Sequence, residues 1–202
     1  MTTFLLIRHA EIGASGILVG WMEGWGLNST GKLQAQRLAG RLSGLPIGAV
    51  YASPLERTVE TAEIVAAPHG LKPERLKDLG EVDFGEWEGY TFEDLQNDDQ
   101  WRQYNLCRTC TQPPGGEWIT DVQTRMTRSL NCLAERHPEE TIAVVSHGDP
   151  LRCAVAHFLG VPIDFISRFE IAPASVTVVE IASWGPRVLC LNETGEIPCL
   201  SK

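Results

Sequence analysis

Short, wholly apolar runs alternate along the chain with longer stretches of helical rhythm. Phe4-Leu5-Leu6-Ile7 is apolar at every position, and "TIAVVS", Thr141 to Ser146, is nearly so. Such runs read as strands buried on both faces, as in parallel sheets. Ala49 to Ala52 reads as a further short strand, and Val176 to Ile181 and Arg187 to Leu191 as two closing ones. Thr30 to Leu42 carries Leu33, Leu38 and Leu42 among polar residues, which predicts a helix with Thr30 as N-cap. Pro54 suits the first turn of a helix continued by Val59, Ala62, Ile64 and Val65, with Ser53 as its N-cap. Thr120 to Arg136 is helical again. Asp149 and Pro150 predict an N-cap and first helical position for a helix running to about Leu159.

Two segments are weaker in pattern. Leu71 to Leu79 reads as an exposed connection with a short strand. Val82 to Glu117 is long for a plain loop and predicts an inserted subdomain with a helix or two, of the kind that forms a lid. Strands alternating with helices predict an α/β fold, a three-layer αβα sandwich with a mostly parallel central sheet. Its 202 residues suffice for a single domain over 1–202, with the lid-like insertion at about 83–119.

Charge and cysteine content narrow the classes. The formal net charge of −9 argues against nucleic acid as a partner, since a binder needs a basic face. If the substrate is an anion, a few arginines focused in a cleft must attract it. No apolar run approaches the roughly 18 residues of a membrane span, so no membrane partner is expected. No charged leader precedes a long apolar segment, which predicts a cytoplasmic chain with reduced thiols. Cys107 and Cys110 form a CxxC, but a zinc site needs a second pair and none has suitable spacing. The pair reads as chance, and no metal is expected. The last strands are able to pair across a homodimer, and nothing in the sequence decides it.

The chemistry-bearing residues cluster at or near strand ends: Arg8-His9, Ser53 and Arg57, Glu81, and His147-Gly148. In a parallel sheet the C-terminal strand ends share one edge, where ligands bind. Two histidines, two arginines and a carboxylate fit phosphoryl transfer through a histidine. A neutral imidazole attacks phosphorus in line. Guanidinium forks match the non-bridging oxygens, a role lysine does not copy. A second histidine, if protonated, adds a donor. Gly148 and the helix start offer backbone N–H groups to an anion. A carboxylic acid protonates the leaving oxygen, and no cofactor is needed. The bland alternatives are a capped strand end with structural histidines, and an Arg57 paired with Glu56 or Glu60 on its helix surface. Asp83, Glu86 and Glu88 lie near enough to exchange roles with Glu81. Trp21, Trp25, Trp101 and Trp118 read either as lining of an organic pocket or as a small core of the insertion. His69, His137 and His157 carry no assigned role.

"LLIRHAE", "ASPLERTVETAE", "LGEVDFGEWEG" and "VVSHG" resemble, in order and spacing, the motifs of the histidine phosphatase (phosphoglycerate mutase-like) superfamily. The resemblance runs from Phe4 to Gly148. It implies a mixed α/β sheet with helices on both faces. It also implies His9 as the phosphorylated nucleophile, Arg8, Arg57 and His147 as the phosphate pocket, and Glu81 as proton donor. "VDFGEWEG" is similar to the phosphatase branch, which implies a metal-independent phosphomonoesterase acting on a small phosphorylated substrate. A phosphoglycerate mutase-type transfer is the nearest alternative, and a phosphate-binding module without turnover is the other. The chain departs from the usual motif at Ala10 and Ile12. Where the family often has an asparagine touching the phosphoryl group, Ser15 is the nearest polar residue and stands as a substrate-binding candidate.

Overall fold

The computed structural model describes residues 1–14, 16–195 and 197. In chain order the elements are β1 (Thr2–Arg8), α1 (Ser29–Leu42), β2 (Ile47–Ala52), α2 (Glu56–Ala66), β3 (Glu74–Arg75), α3 (Phe92–Leu95), α4 (Asp99–Leu106), α5 (Ile119–Arg136), β4 (Thr141–Ser146), α6 (Gly148–Leu159), β5 (Val176–Ala182) and β6 (Gly185–Glu193). The strands form one sheet in the order β3-β2-β4-β1-β5-β6. β1, β2, β3 and β4 run parallel, β5 runs against β1, and β6 runs against β5. The expected three-layer, mostly parallel α/β architecture is therefore present.

The apolar runs explain the layers. Successive strand residues point to opposite faces, so a strand covered on both sides needs apolar residues throughout. Phe4, Leu6, Ile142 and Val144 pack on one face with Val122, Met126 and Leu130 of α5 and Leu151 and Val155 of α6. Leu5, Ile7, Ala143 and Val145 pack on the other with Ala35, Leu38 and Leu42 of α1 and Ala62 and Val65 of α2. Leu33, counted above as part of an apolar stripe, is exposed. Phe84, Trp87, Leu95 and Tyr104, from the region expected to be an insertion, join the α5–α6 side of the core. There Trp87 meets Trp101 and Tyr104 edge-on, at 5.2 and 5.5 Å between centroids, the geometry that ring quadrupoles favour.

Three helix starts differ from expectation. α1 begins at Ser29 and is capped by Asn28, whose Oδ1 accepts from the Gly31 N–H at 2.7 Å, so Thr30 lies inside it. α2 begins at Glu56 after Leu55, beyond Ser53 and Pro54. α6 begins at Gly148 with His147 in the cap position, which puts Asp149 and Pro150 in its first turn. Cys107 and Cys110 form a disulfide, against the expectation of reduced thiols. Among the described residues, no helix is long and apolar enough to cross a membrane.

Candidate active site

The register of the sheet brings the strand ends together. Arg8 pairs with Ser146 at the ends of β1 and β4. The ladder then continues one step, with the His9 N–H donating to the Ser146 carbonyl at 2.9 Å and the Ser53 N–H to the Val145 carbonyl at 3.0 Å. His9, Ser53 and His147 therefore leave adjacent strands at one edge. The imidazoles of His9 and His147 lie 5.2 Å apart between centroids, inclined at 64°.

Hydrogen bonds fix how each ring presents itself. The His9 Nδ1 lies 2.8 Å from the Ala10 carbonyl oxygen. A carbonyl only accepts, so Nδ1 carries the hydrogen and Nε2 carries the lone pair. His147 is arranged the other way round. Its Nδ1 accepts from the Arg57 Nε at 3.2 Å, and its Nε2–H donates to the Ser53 Oγ at 2.8 Å. A guanidinium cannot accept, so His147 is neutral here rather than the protonated donor the sequence reading allowed for. Ser53, expected as a helix cap, serves the histidine.

Arg57 projects from the first turn of α2 and is 2% exposed. Its Nη2 donates to the Gly20 carbonyl at 2.7 Å, which anchors it in the site rather than beside Glu56 or Glu60. Arg8 Nη1 donates to the Ile171 carbonyl at 2.7 Å. Gly148 leaves the Arg8 guanidinium carbon 3.5 Å from the place a Cβ would take. The backbone of Glu81 is pinned through its carbonyl, which accepts from the Trp21 indole at 2.7 Å and from Arg125 Nη2 at 2.9 Å. Its carboxylate accepts from the Val82 N–H at 2.9 Å and lies 3.8 Å from the His147 Nδ1.

Burial and neighbouring charges set the protonation states. Burial, then the cation of Arg57, lowers the His9 pKa to about 3, so the ring is neutral at physiological pH. Burial and Arg57 hold His147 well below the usual histidine range as well. Burial, followed by the Asp149 carboxylate, raises Glu81 to about 7, in spite of Arg57 nearby. A neutral imidazole beside two arginines and a half-protonated carboxyl is suited to nucleophilic and acid–base work.

Arg8, His9, Arg57 and Glu81 line one cleft of about 380 Å³. Its walls are Ile12, Ile17, Leu18, Val19, Phe84 and Phe92 rather than the tryptophans. Trp21 instead holds Glu81, and Trp101 belongs to the aromatic cluster around Trp87. His147 is fully buried behind the histidine of the cleft. Ser15 lies outside the described residues. Among the described residues, no group of three or more His, Cys, Asp or Glu side chains could hold a metal ion.

Sequence reasoning missed several supporting groups. The Thr61 Oγ1 accepts from the Ala10 N–H at 3.1 Å and donates to the Arg57 carbonyl at 2.7 Å, joining two site segments. Its spacing of four residues from Arg57 on one helix was the available signal. Glu88 accepts from the Trp21 and Phe84 N–H groups at 2.9 and 3.2 Å, so it shapes the loop before Glu81's neighbours instead of sharing Glu81's place.

This fold and crest define an α/β protein with a neutral histidine, two arginines and a poised carboxyl at one sheet edge. The chain belongs to the histidine phosphatase superfamily (branch 1), whose family model matches residues 4–194. It is 34% identical over 198 residues to a bifunctional protein of Mycobacterium tuberculosis, covering 96% of this chain and 54% of that one. The chain thus spans about half the length of those mycobacterial relatives. It is 31% identical over 199 residues to phosphoserine phosphatase 1 of Hydrogenobacter thermophilus, covering 96% of this chain and 93% of that protein. Among solved structures, Bacillus stearothermophilus YhfR superposes with a TM-score of 0.90 at 29% identity, over 96% of this chain and 98% of its own.

Proposed function

We propose that the chain is a phosphoric monoester hydrolase that acts on a small phosphorylated metabolite through a phosphohistidine at His9. The observation that carries this reading is the tautomer of His9: with Nδ1–H held by the Ala10 carbonyl, Nε2 offers its lone pair in a cleft that Arg8 and Arg57 line. Support also comes from the phosphoserine phosphatase relative. We read residues 1–202 as one domain whose insertion at about 83–119 contributes Phe84 and Phe92 to the cleft wall.

In the first step Nε2 attacks phosphorus and the bond to the ester oxygen breaks. Arg8 and Arg57 take the charge of the non-bridging oxygens, with the Gly148 N–H at the start of α6 as a further donor. His147 holds Arg57 in place through Nδ1. Glu81 gives its proton to the departing alkoxide, which leaves as an alcohol. In the second step Glu81, now a carboxylate, takes a proton from water. That water attacks phosphorus, the P–N bond breaks, and inorganic phosphate leaves with His9 neutral again.

Steady release of p-nitrophenol from p-nitrophenyl phosphate tests the reading. His9→Ala is expected to lose on the order of 10³-fold or more in kcat, since the covalent route is gone. Glu81→Gln is expected to impair hydrolysis of an alkyl phosphate such as phosphoserine far more than p-nitrophenyl phosphate, whose leaving group needs little protonation. Undiminished turnover in His9→Ala would refute the proposal.

A further inference from the structure

The first turn of α6 carries a charge cluster that the steps above do not use. Asp149, two residues beyond His147, is held at both oxygens. Arg108 Nη1 lies 2.6 Å from its Oδ2, and Arg152 Nη1 lies 2.9 Å from its Oδ1. The two arginines come from different places. Arg152 is one turn along α6, where it also binds Glu170 at 3.0 Å and the Phe169 carbonyl at 3.3 Å. Arg108 comes from the insertion, inside the turn that the Cys107–Cys110 disulfide closes. That turn is docked in its own right: the Thr109 N–H and Oγ1–H both donate to the Asp164 carboxylate at 2.8 Å. The Arg108 guanidinium also sits 4.9 Å over the Tyr104 ring. Six polar contacts and a ring thus converge on holding one carboxylate two positions along the chain from His147, whose Nδ1 lies 3.8 Å from Glu81.

We propose that Asp149, gripped by Arg108 and Arg152, is a positioning residue that governs the proton on Glu81. This rests on the reading of Glu81 as proton donor. Besides Asp149, the groups facing Glu81 are the cations of Arg8 and Arg57, the neutral His147 at 3.8 Å, and Arg125 on its carbonyl. The cations favour the ionised carboxylate, while burial and the Asp149 charge oppose ionisation. Asp149 is itself held ionised by Arg108, so its negative charge is permanent across the working pH range. Arg108 thereby ties the segment that carries Phe84 and Phe92 of the cleft wall to the chemistry by a second route, from outside the cleft.

The sign of the effect differs between the two ends of this link, and that separates it from damage to the fold. In Asp149→Asn the negative neighbour is gone and two cations remain, so Glu81 ionises at lower pH. In Arg108→Gln a cation is gone and Asp149 keeps its charge through Arg152, so Glu81 ionises at higher pH. The experiment is a carbon-13 NMR titration of glutamate side-chain carboxyls, with the Glu81 resonance assigned by its loss in Glu81→Gln. The expected result is a midpoint near 7 in the unmodified chain, displaced downward in Asp149→Asn and upward in Arg108→Gln. An unmoved midpoint in either variant overturns the proposal, so Arg108→Gln decides alone if Asp149→Asn does not fold. Phosphoserine hydrolysis is measured alongside. Asp149→Asn is expected to lose on the order of three- to tenfold in rate at about pH 8 and to recover it near about pH 5. A displaced midpoint with an undisplaced rate profile supports the link and refutes Glu81 as the proton donor.

Discussion

The crest of the sheet and the segment proposed above as an insertion, at about 83–119, are built in opposite ways. At the crest, His9, Ser53 and His147 are carried by buried parallel strands, and backbone bonds from His9 and Ser53 extend the ladder past the last strand residues. Their positions follow from register and are determined to within a side-chain rotamer. The insertion has two short helices, α3 and α4, and depends on aromatic packing, a short disulfide-closed turn and ion pairs. Reacting atoms need fixed geometry, which strand ends provide. Groups that adjust the field or wall the cleft can tolerate small displacement, and Arg108, Phe84 and Phe92 of that segment are of this kind.

The sharpest way to break this contrast is to keep charge at the crest and remove its geometry. Arg57 binds the His147 Nδ1 and the Gly20 carbonyl with two different nitrogens of one planar group. Arg57→Lys keeps the cation but cannot span both partners and a phosphoryl oxygen together. Its kcat/KM toward p-nitrophenyl phosphate is expected to fall on the order of 10²-fold or more, with circular dichroism unchanged. A loss below about threefold would mean that a point charge suffices and that the crest is less exacting than its geometry implies.

Next in size is a matched pair of core truncations. Leu6 of β1 and Leu95 of α3 belong to one continuous apolar cluster and are both buried, at 0% and 2% exposure. Leu6→Ala is expected to cost about 2–5 kcal/mol of global stability in urea, with a cavity left in the middle of the sheet. Leu95→Ala removes the same atoms from a four-residue helix that can collapse onto the gap. Its cost is expected at the low end of that range, with hydrogen exchange quickened over the insertion before the strands. Equal costs and uniform exchange would show that the two regions unfold as one.

The same contrast explains what the sequence made legible. The strands were readable because burial on both faces forces uninterrupted apolar runs, and the parallel order then implied which polar residues share an edge. Helix starts were misread for a physical reason. Ser53 and Asp149 have the side chains that favour caps, but tertiary partners claim them: Ser53 binds His147, and Asp149 binds Arg108 and Arg152. Asn28 performs the capping assigned to Thr30 because the chain enters α1 two residues earlier. The disulfide was not legible at all, since a three-residue spacing between cysteines states nothing about the turn that joins them. The Arg108–Asp149 pair spans 41 positions between segments with no shared periodicity, so only the folded chain reveals it.

The smallest expected effect compares two tyrosines, one from each region. The Tyr51 hydroxyl, on β2, is bonded to the His137 Nε2 at 2.8 Å. The Tyr104 hydroxyl, on α4, is buried without a hydrogen-bond partner among the described residues, although its ring packs against Trp87 and lies under Arg108. Burial pushes its pKa well above the usual tyrosine value, so the hydroxyl keeps its proton. A bonded hydroxyl contributes about 1 kcal/mol, whereas a buried unpaired one costs its desolvation. Tyr51→Phe is therefore expected to lower the urea midpoint by the equivalent of about 1 kcal/mol. Tyr104→Phe is expected to leave it unchanged or raise it by up to about 1 kcal/mol, because the ring contacts survive and the unpaired oxygen is gone. Opposite signs for one identical chemical change would place the exact polar matching in the sheet and the tolerated mismatch in the insertion. Equal losses would mean that the insertion is held to the same standard as the strands.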